Sequence, residues 1–301
     1  MRRTLTGIAK TVLRLLPAYP APDYLPLDQL TTAIAVARAR EEMEDERTGG
    51  FLKFFNGRKE ITGDRILDLG CGFGGRTAEF QRRTGALVVG LEINQRMAAG
   101  ALKFTDSIGV KDAAFVTGVG EALPFADDSF DVILSYDVLE HVEDPRWCLS
   151  ECKRTLKPGG VFLLVFPPYY HPTGAHLEGY VSRIPYANLL FPSSILLRAI
   201  DEILEERGGG YRPQPLRPSD RLYSLNGLTV RAFKRILKES GFEVASLEFL
   251  PLFSRVNRNY DAWKMKYYAW IFKSLSRIPL AQECFTHRVV AVLRKPDTSA
   301  N

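Results

Sequence analysis

The chain has 301 residues, of which 46% are hydrophobic and 25% are charged, and its 40 basic and 35 acidic side chains give a net charge of +5. With a mean hydropathy of −0.10, this composition excludes an integral membrane bundle and a disordered chain. Four scattered cysteines are too few for a disulfide framework, so we expect a reducing compartment and a cytoplasmic protein. Cys148 and Cys152 lack a second pair of Cys or His ligands, and no metal site is predicted.

The first predicted element is a basic amphipathic helix in an N-terminal arm, residues 1–27. Residues 1–20 hold four basic side chains and no acidic one. One helical face carries the apolar residues Leu5, Ile8, Ala9, Val12 and Leu16. Two interpretations remain open: the helix packs on its own domain, or residues 1–16 make peripheral contact with an anionic membrane. The sequence has no run of ~20 apolar residues that could span a bilayer.

Strands and helices alternate after a second helix at Leu30–Glu46. We predict strands at Arg65–Leu69, Leu87–Glu92, Ala113–Thr117, Phe130–Ser135, Val161–Phe166, Phe242–Phe249 and Phe285–Leu293. Helices are predicted at Gly75–Thr84, Asn94–Ile108 and Pro145–Leu156. This alternation indicates one α/β domain, residues 28–296, with a parallel sheet and helices on both faces.

The alternation breaks after Phe166, where prolines, tyrosines and a histidine follow one another as far as Pro172. Regular periodicity resumes only at a helix predicted for Thr229–Ser240. We therefore interpret residues 167–226 as an insertion in the domain. Residues 297–301 form a tail.

A glycine-rich turn, Gly70-Cys-Gly-Phe-Gly-Gly75, joins the first strand to the following helix. Such a turn lets a ligand approach the backbone closely at the carboxyl edge of a parallel sheet. The glycines satisfy both the GxGxxG and the GxGxG spacing, so the turn alone does not identify the ligand.

Two acids near the turn narrow the choice of ligand. Glu92 ends the second strand, 22 residues after Gly70, where a carboxylate can accept both hydroxyls of a ribose. Asp68 lies just before the turn, where a carboxylate would repel a pyrophosphate and attract an ammonium group. S-adenosylmethionine joins an ammonium group to adenosine, so the two acids favour it over a nicotinamide dinucleotide.

Five segments within about residues 60–166 carry a resemblance to a known family. They are Asp68-Leu-Gly-Cys-Gly-Phe-Gly, Glu92, Glu121-Ala-Leu-Pro-Phe-Ala-Asp-Asp-Ser-Phe-Asp131, Asp137-Val-Leu-Glu-His141-Val and Arg154-Thr-Leu-Lys-Pro-Gly-Gly160. In combination they resemble the class I S-adenosylmethionine-dependent methyltransferases, in particular the group that includes the ubiquinone and menaquinone biosynthesis methyltransferases. The resemblance implies a Rossmann-like, doubly wound seven-stranded sheet whose last strand is antiparallel, and S-adenosyl-L-methionine as cofactor.

The resemblance also assigns residues to the cofactor. Gly70 and Gly72 would lie against its methionine part, with Asp68 near the ammonium group. Glu92 would hold the ribose, and Ile93 would pack on the adenine. Further residues of the same pocket would be Cys71, Gly120, Glu121 and Ser135.

One position departs from the family pattern. Val119 stands where the family often has an acid that accepts from the adenine amino group. The backbone at Val119 and Gly120 would then contact the ring, and Glu121 is a substitute acceptor.

Methyl transfer from a sulfonium is an in-line displacement, so the protein chiefly has to align nucleophile, methyl group and sulfur. If the acceptor atom is an oxygen, a neutral histidine would help by removing its proton. The candidates are His141, after the fourth strand, and His171 and His176, in the insertion. His287, in the last strand, is interpreted as structural.

We predict O-methylation of a small-molecule or lipid-like acceptor bound by the insertion. The alternatives are C-methylation of a quinone-like substrate and a non-catalytic S-adenosylmethionine-binding protein. A segment of aromatic and basic residues, Tyr260–Trp270, favours a greasy or anionic partner. Nucleic acid is not expected as a partner, because the net charge is modest and no RNA-binding motif is appended.

Overall fold

The computed structural model describes residues 2–18, 30–44, 65–177, 181–208, 225–251, 270–279 and 281–297. Internal contacts divide the chain into two compact units. The sheet unit consists of Leu27–Val165, Leu237–Ser246 and Ala291–Asn301. The helical unit consists of Met1–Pro26, Phe166–Ile236 and Leu247–Val290. Most of the predicted aromatic segment, residues 260–269, lies outside the described residues.

Seven strands form one sheet. They are β1 (Arg65–Leu69), β2 (Leu87–Glu92), β3 (Ala113–Thr117), β4 (Phe130–Tyr136), β5 (Leu156–Phe166), β6 (Glu243–Pro251) and β7 (Thr286–Arg294). Their order is β3-β2-β1-β4-β5-β7-β6, and the pairs from β3 to β5 are parallel. The end of β7 runs antiparallel to the start of β5, because Gly159 N donates to Lys295 O over 3.0 Å and Lys295 N donates to Gly160 O over 2.9 Å. The predicted seven-stranded sheet with an antiparallel last strand is confirmed.

The central strands are buried on both faces, as the apolar runs of parallel sheets require. In β1 and β2 every residue except the first is buried, and both strands have the predicted bounds. β5 differs, since it begins at Leu156 and not at the predicted Val161. Leu156 pairs with Phe130, and a register shift between Phe130 and Val132 absorbs the extra residues of the Lys-Pro-Gly-Gly segment.

The described residues form helices before, between and after these strands along the chain. They are α1 (Arg2–Leu15), α2 (Thr32–Glu44), α3 (Gly75–Thr84), α4 (Gln95–Ser107), α5 (Pro145–Thr155), α6 (Ala187–Leu190), α7 (Ser193–Glu206), α8 (Val230–Ser240) and α9 (Gln282–Phe285). Within the sheet unit, α2 packs closely on both α3 and α4. A Cβ on Gly75 would overlap the carbonyl oxygen of Ala39, and one on Gly100 would overlap the Cβ of Ala35. This close approach brings α2 next to the glycine-rich turn.

The expectation that regular periodicity is missing between Phe166 and Thr229 is wrong, because α7 lies in that interval. It starts directly after Pro192, and its buried residues recur at helical spacing. They are Ile195, Leu196, Ala199, Ile200, Ile203 and Leu204. The density of prolines and aromatics at the start of the insertion obscured this stripe, which forms the core of the helical unit.

In the helical unit, α1 packs against α7 through the buried residues Ala9 and Leu13. The Ser182 hydroxyl donates to the carbonyl oxygens of Leu13 (2.7 Å) and Leu16 (3.0 Å), which fixes the end of the helix. Ile8 and Leu16 of the predicted apolar face stay exposed, whereas Leu5 and Val12 are half-buried. Within the described part of the chain, each helix is too short or too polar to cross a bilayer.

Candidate active site

The glycine-rich turn follows β1 at the carboxyl edge of the sheet and requires its glycines. Gly70 and Gly72 have φ of +71° and +58°, a region that side chains disfavour. A Cβ on Gly70 would also overlap the side chain of Val138. The amides of Gly70 and Cys71 both donate to Leu91 O, at 2.8 and 3.0 Å, and tie the turn to β2. The turn therefore presents bare backbone in a fixed conformation.

Asp68 lies buried beneath this turn. Its Oδ2 accepts a hydrogen bond from the Thr77 hydroxyl over 2.6 Å, which links β1 to α3. Burial raises the pKa of the Asp68 carboxyl, while Arg76 and the Thr77 hydrogen bond oppose that rise. A buried carboxylate at this position fits the predicted attraction for an ammonium group.

Glu92 connects the turn to the end of β2. Its Oε2 accepts from Gly72 N over 3.1 Å, and its Oε1 accepts from Asn94 N over 3.0 Å. Burial raises the pKa of Glu92, and the backbone amides counteract this effect. Each carboxylate oxygen has a second acceptor site, so the group can still receive the two hydroxyls of a ribose.

Exposed apolar side chains follow β2 and β3 on the side predicted for adenine. Ile93 is 47% exposed and Val119 is 40% exposed. The strands that carry them are neighbours, since Gly118 N donates to Glu92 O over 3.1 Å. Two apolar side chains leaving adjacent strand ends fit a flat ring that packs on them.

The remaining predicted pocket residues lie in different surroundings. Cys71 is buried, and burial together with the nearby carboxylates raises its pKa well above the ordinary value, so it stays a thiol. Gly120 is buried against Cys148. Glu121 accepts from the backbone amides of Glu143 and, over 3.3 Å, Asp144. One oxygen of this acid, a candidate acceptor for adenine, therefore holds the loop before α5.

Ser135 is buried at the carboxyl end of β4, next to Leu69 in the sheet register. Among the described residues its hydroxyl has no hydrogen-bond partner. A buried hydroxyl without a protein partner at this edge fits a site that a ligand completes.

The segment after β4 turns back over the glycine-rich turn. Asp137 adopts the left-handed conformation, with φ of +57°, and residues in such conformations cluster at functional sites. Val138 lies against Gly70, and His141 N donates to Val138 O over 2.8 Å. The His141 ring is partly exposed, with Nε2 3.9 Å from Oε1 of the buried Glu140. His141 thus belongs to the sheet unit, with the predicted cofactor residues.

His171 and His176 belong to the helical unit. His171 is 1% exposed and stacks edge-on against His287, with 5.3 Å between ring centroids. Its Nδ1 accepts from Thr173 N over 3.3 Å, which leaves the ring proton on Nε2. Burial, and secondarily His287, Arg288 and His176, lower the pKa of His171 to about 2. In this tautomer Nε2 can donate a hydrogen bond but cannot accept a proton.

Part of the insertion, which is predicted to bind the acceptor, is packed in the core of the helical unit. Tyr169 and Leu177 are buried there, and the Tyr169 hydroxyl lies 3.1 Å from Ser193 Oγ. Leu189 and Leu190 are more than half exposed. Tyr180 lies outside the described residues. Within this set, the exposed leucines are the side chains accessible to an apolar ligand.

Sequence reasoning missed Glu42, which reaches the turn from α2. Its Oε1 accepts from Phe73 N over 3.5 Å and its Oε2 from Gly75 N over 3.2 Å. Gly74, at the start of α3, has no side chain that could cap these amides. The adjacent glycines Gly74 and Gly75 were the sequence signal that could have predicted such a residue. A helix that begins with glycines has no capping side chain of its own, so its first amides need an acceptor from another segment.

Residues 67–164 match the family described as "Methyltransferase domain". This part of the chain belongs to that methyltransferase family. The prediction drawn from the five motif segments is confirmed for these residues. The match ends before the insertion, so it covers the turn, the acids and His141 but neither His171 nor His176.

Curated methyltransferases are similar to part of the chain. Ubiquinone biosynthesis O-methyltransferase of Dinoroseobacter shibae is 43% identical over 138 residues, which are 46% of this chain and 49% of that protein. Sterol 24-C-methyltransferase ERG6B of Gibberella zeae is 39% identical over 101 residues, 33% of this chain and 27% of that protein. The chain thus spans between about a quarter and a half of the length of these relatives.

A solved structure supports the fold over a larger part of the chain. Phosphoethanolamine N-methyltransferase 2 of Haemonchus contortus, in complex with S-adenosyl-L-methionine, has a TM-score of 0.55 and 18% identity. The alignment covers 90% of this chain and 59% of that chain. At this identity the likeness establishes the methyltransferase fold and nothing about the acceptor.

Proposed function

We propose that the protein is an S-adenosylmethionine-dependent methyltransferase. The observation that carries this proposal is the pair of buried carboxylates at the turn, Asp68 beneath it and Glu92 hydrogen-bonded to Gly72. Two carboxylates there disfavour a pyrophosphate and favour a ligand with an ammonium group and a ribose. The methyltransferase domain at residues 67–164 supports the same ligand.

The residues fit the cofactor as follows. Asp68, Gly70, Cys71 and Gly72 would hold its methionine part. Glu92 would hold the ribose. The adenine would lie near Ile93, Gly120 and Glu121, and Ser135 would complete the pocket. When bound, the cofactor supplies an electrophilic methyl group.

Glu92→Ala tests whether the Glu92 carboxylate binds the cofactor. We expect it to weaken S-adenosylmethionine binding by about 1 to 3 kcal/mol, because the ribose hydroxyls lose a charged acceptor. Titration calorimetry measures the change, with Glu243→Gln, an exposed acid at the start of β6, as the control. Unchanged affinity in a folded Glu92→Ala variant would remove Glu92 from the site.

For the reaction we propose O-methylation of a small-molecule or lipid-like acceptor. The similar ubiquinone biosynthesis O-methyltransferase supports transfer to oxygen, and His141, in the unit that holds Asp68 and Glu92, supports removal of a hydroxyl proton. C-methylation of a quinone-like acceptor and cofactor binding without transfer are the alternatives.

Labelled methyl transfer separates these reactions. Native extracts are incubated with the protein and a methyl-labelled donor, and labelled products are identified by mass spectrometry. Hydriodic acid releases the label from an O-methyl ether and leaves a C-methyl group intact. Label retained after that treatment would exclude transfer to oxygen, and fragmentation of the product would then show whether carbon carries the methyl group. Donor binding without any labelled product would establish the non-catalytic alternative.

We further propose that residues 1–16 contact an anionic membrane. Arg3, Lys10, Arg14 and Arg198 line a cavity of about 590 Å³ between α1 and α7, together with Glu202. Lys10 pairs with Glu202 over 3.0 Å, whereas Arg3 and Arg198 have no ion pair within the described part of the chain. Exposed Ile8, Leu15 and Leu16 add apolar surface to the same arm.

Point variants test this contact better than truncation, since Ala9 and Leu13 are part of the core. We expect Arg3→Ala and Arg198→Ala each to weaken binding to phosphatidylglycerol vesicles by about 1 kcal/mol, an effect that fades as salt rises. Lys111→Ala, in an exposed loop, is the charge-matched control. Equal sedimentation of all variants would make the arm a packing element only.

A further inference from the structure

The acid that sequence reasoning missed is built into the glycine-rich turn. Glu42 holds Phe73 N and Gly75 N, and its Oε1 lies 3.1 Å from the point where a Cβ on Gly72 would stand. The carboxylate therefore touches the stretch of backbone against which the methionine part of the cofactor would lie. α2 positions it there because that helix packs directly on Gly75.

Glu42 shares this place with other ionisable groups. It faces Arg76 of α3 and Asp68 of β1, and the Cys71 thiol lies among Glu42, Asp68 and Glu92. The Arg76 guanidinium also lies 5.0 Å from the Tyr136 ring centroid. Two carboxylates, those of Glu42 and Asp68, thus stand near one guanidinium. Burial raises the pKa of Glu42 to about 7 although Arg76 and the two amides oppose it.

The cofactor and its product differ in charge. S-adenosylmethionine carries a sulfonium, an ammonium and a carboxylate, so it is a net cation, whereas the demethylated product has a thioether and is neutral. A cation near a buried carboxylate favours the ionised form of that carboxylate, and its loss favours the protonated form. A site with a titratable carboxylate can therefore distinguish the two molecules.

We propose that Glu42 is a cofactor-binding residue that is ionised when the cationic methyl donor is bound and takes up a proton from solvent when the neutral product replaces it. The inference rests on the proposed methyl-transfer function and assigns a charge-sensing role to α2. Glu42 would then favour the donor over the product at each turnover.

Proton release during binding tests this inference without any methyl acceptor. Calorimetric titrations at pH 7 in two buffers of different ionisation enthalpy give the number of protons exchanged per ligand bound. We expect S-adenosylmethionine to release about half a proton from Glu42, the fraction held by a group whose pKa equals the pH. S-adenosylhomocysteine should release much less.

Glu42→Gln removes the charge of this one group and keeps one of its two hydrogen bonds, since the amide oxygen can accept from Phe73 N or Gly75 N but the amide nitrogen cannot accept. We expect it to abolish the difference in proton release between the two ligands and to weaken S-adenosylmethionine binding about tenfold at pH 8.5, the effect of one unit of pKa shift. Glu41→Gln is the matched control, because Glu41 is exposed and pairs with Arg38 over 3.0 Å.

The possible outcomes are distinct. Equal proton release with both ligands in the unaltered chain, or the same ligand difference in Glu42→Gln, would overturn the inference and leave the proposed function intact. If neither ligand binds, the proposed function fails and the inference fails with it. Because the unaltered chain already gives the first result, the test does not depend on the folding of the variant.

Discussion

The glycine-rich turn of the sheet unit and the insertion of the helical unit both carry polar groups, but the groups have different surroundings. At the turn, Glu92 accepts from Gly72 and Asn94, and Ser135 keeps a hydroxyl without a protein partner among the described residues. In the insertion, the Tyr169 hydroxyl lies 3.1 Å from Ser193 Oγ and His171 Nδ1 accepts from Thr173 N, while His171 Nε2, like the Ser135 hydroxyl, has no partner among the described residues. The difference teaches that the acid at the turn keeps acceptor sites for a ligand, whereas Tyr169 and His171 are buried within the helical unit.

His141→Ala should have the largest effect, because it removes the proton acceptor that the sheet unit offers. We expect turnover on the oxygen acceptor to fall by about 10² or more while the cofactor dissociation constant stays within twofold. Single-turnover rates and calorimetry measure the two quantities.

His171→Ala and His176→Ala are the matching variants in the helical unit, and we expect both to retain turnover per folded molecule. If either of these variants loses turnover while His141→Ala stays fully active, the helical unit and not the sheet unit supplies the catalytic histidine. Three active variants would leave catalysis to alignment alone.

Gly70→Ala tests whether the backbone conformation of the glycine-rich turn is needed for cofactor binding. We expect a loss of about 1 to 2 kcal/mol of stability from the left-handed conformation and a larger loss of cofactor affinity, since the new Cβ overlaps Val138. Gly85→Ala is the control, because Gly85 has φ of +66° and open space around its Cα. It should lose less stability than Gly70→Ala, because no overlap adds to the conformational cost, and it should keep full affinity. If both variants bind the cofactor equally well, the contact between Gly70 and Val138 does not shape the site.

The predictable part of this site is the part set by local chain geometry. Asp68, Gly70 and Glu92 could be identified because strand ends of a parallel sheet converge at one edge, and the sequence marks those ends clearly. The bounds of β1 and β2 were predictable for the same reason, since buried parallel strands are short apolar runs.

The remainder depends on packing between distant segments. Glu42 lies 33 residues before Gly75, which it caps, and only the placement of α2 on α3 brings them together. Glu121 was interpreted as a group near adenine, yet its Oε1 is bound to the amides before α5. The helix α7 was missed although its stripe from Ile195 to Leu204 has helical spacing, because Pro192 and the aromatics before it suggested irregular chain.

The last expected effect is the dependence of stability on pH, which has opposite signs in the two regions. His171 is neutral in the folded chain because burial lowers its pKa to about 2, whereas an unfolded histidine titrates near ~6.5. Its contribution to stability is complete above pH ~6.5 and falls by about 1.4 kcal/mol per unit as the pH drops below that value. Glu42 acts oppositely, because burial raises its folded pKa from 4.5 to about 7, so its contribution is lost as the pH rises through that range.

Urea unfolding of His171→Gln and Glu42→Gln between pH 7 and pH 5 measures both contributions against the unaltered chain. Between these limits the stability deficit of His171→Gln should shrink by about 2 kcal/mol, since the variant no longer has to keep a buried imidazole neutral. The stability deficit of Glu42→Gln should instead grow as the pH falls from 7 to 5. In this range the folded unaltered chain takes up a proton on Glu42, which stabilises it, and the variant cannot. If the stability deficits of both variants change with pH in the same direction, the environments of His171 and Glu42 do not shift their pKa values in opposite directions. The contrast between the two regions would then depend on their hydrogen bonds alone.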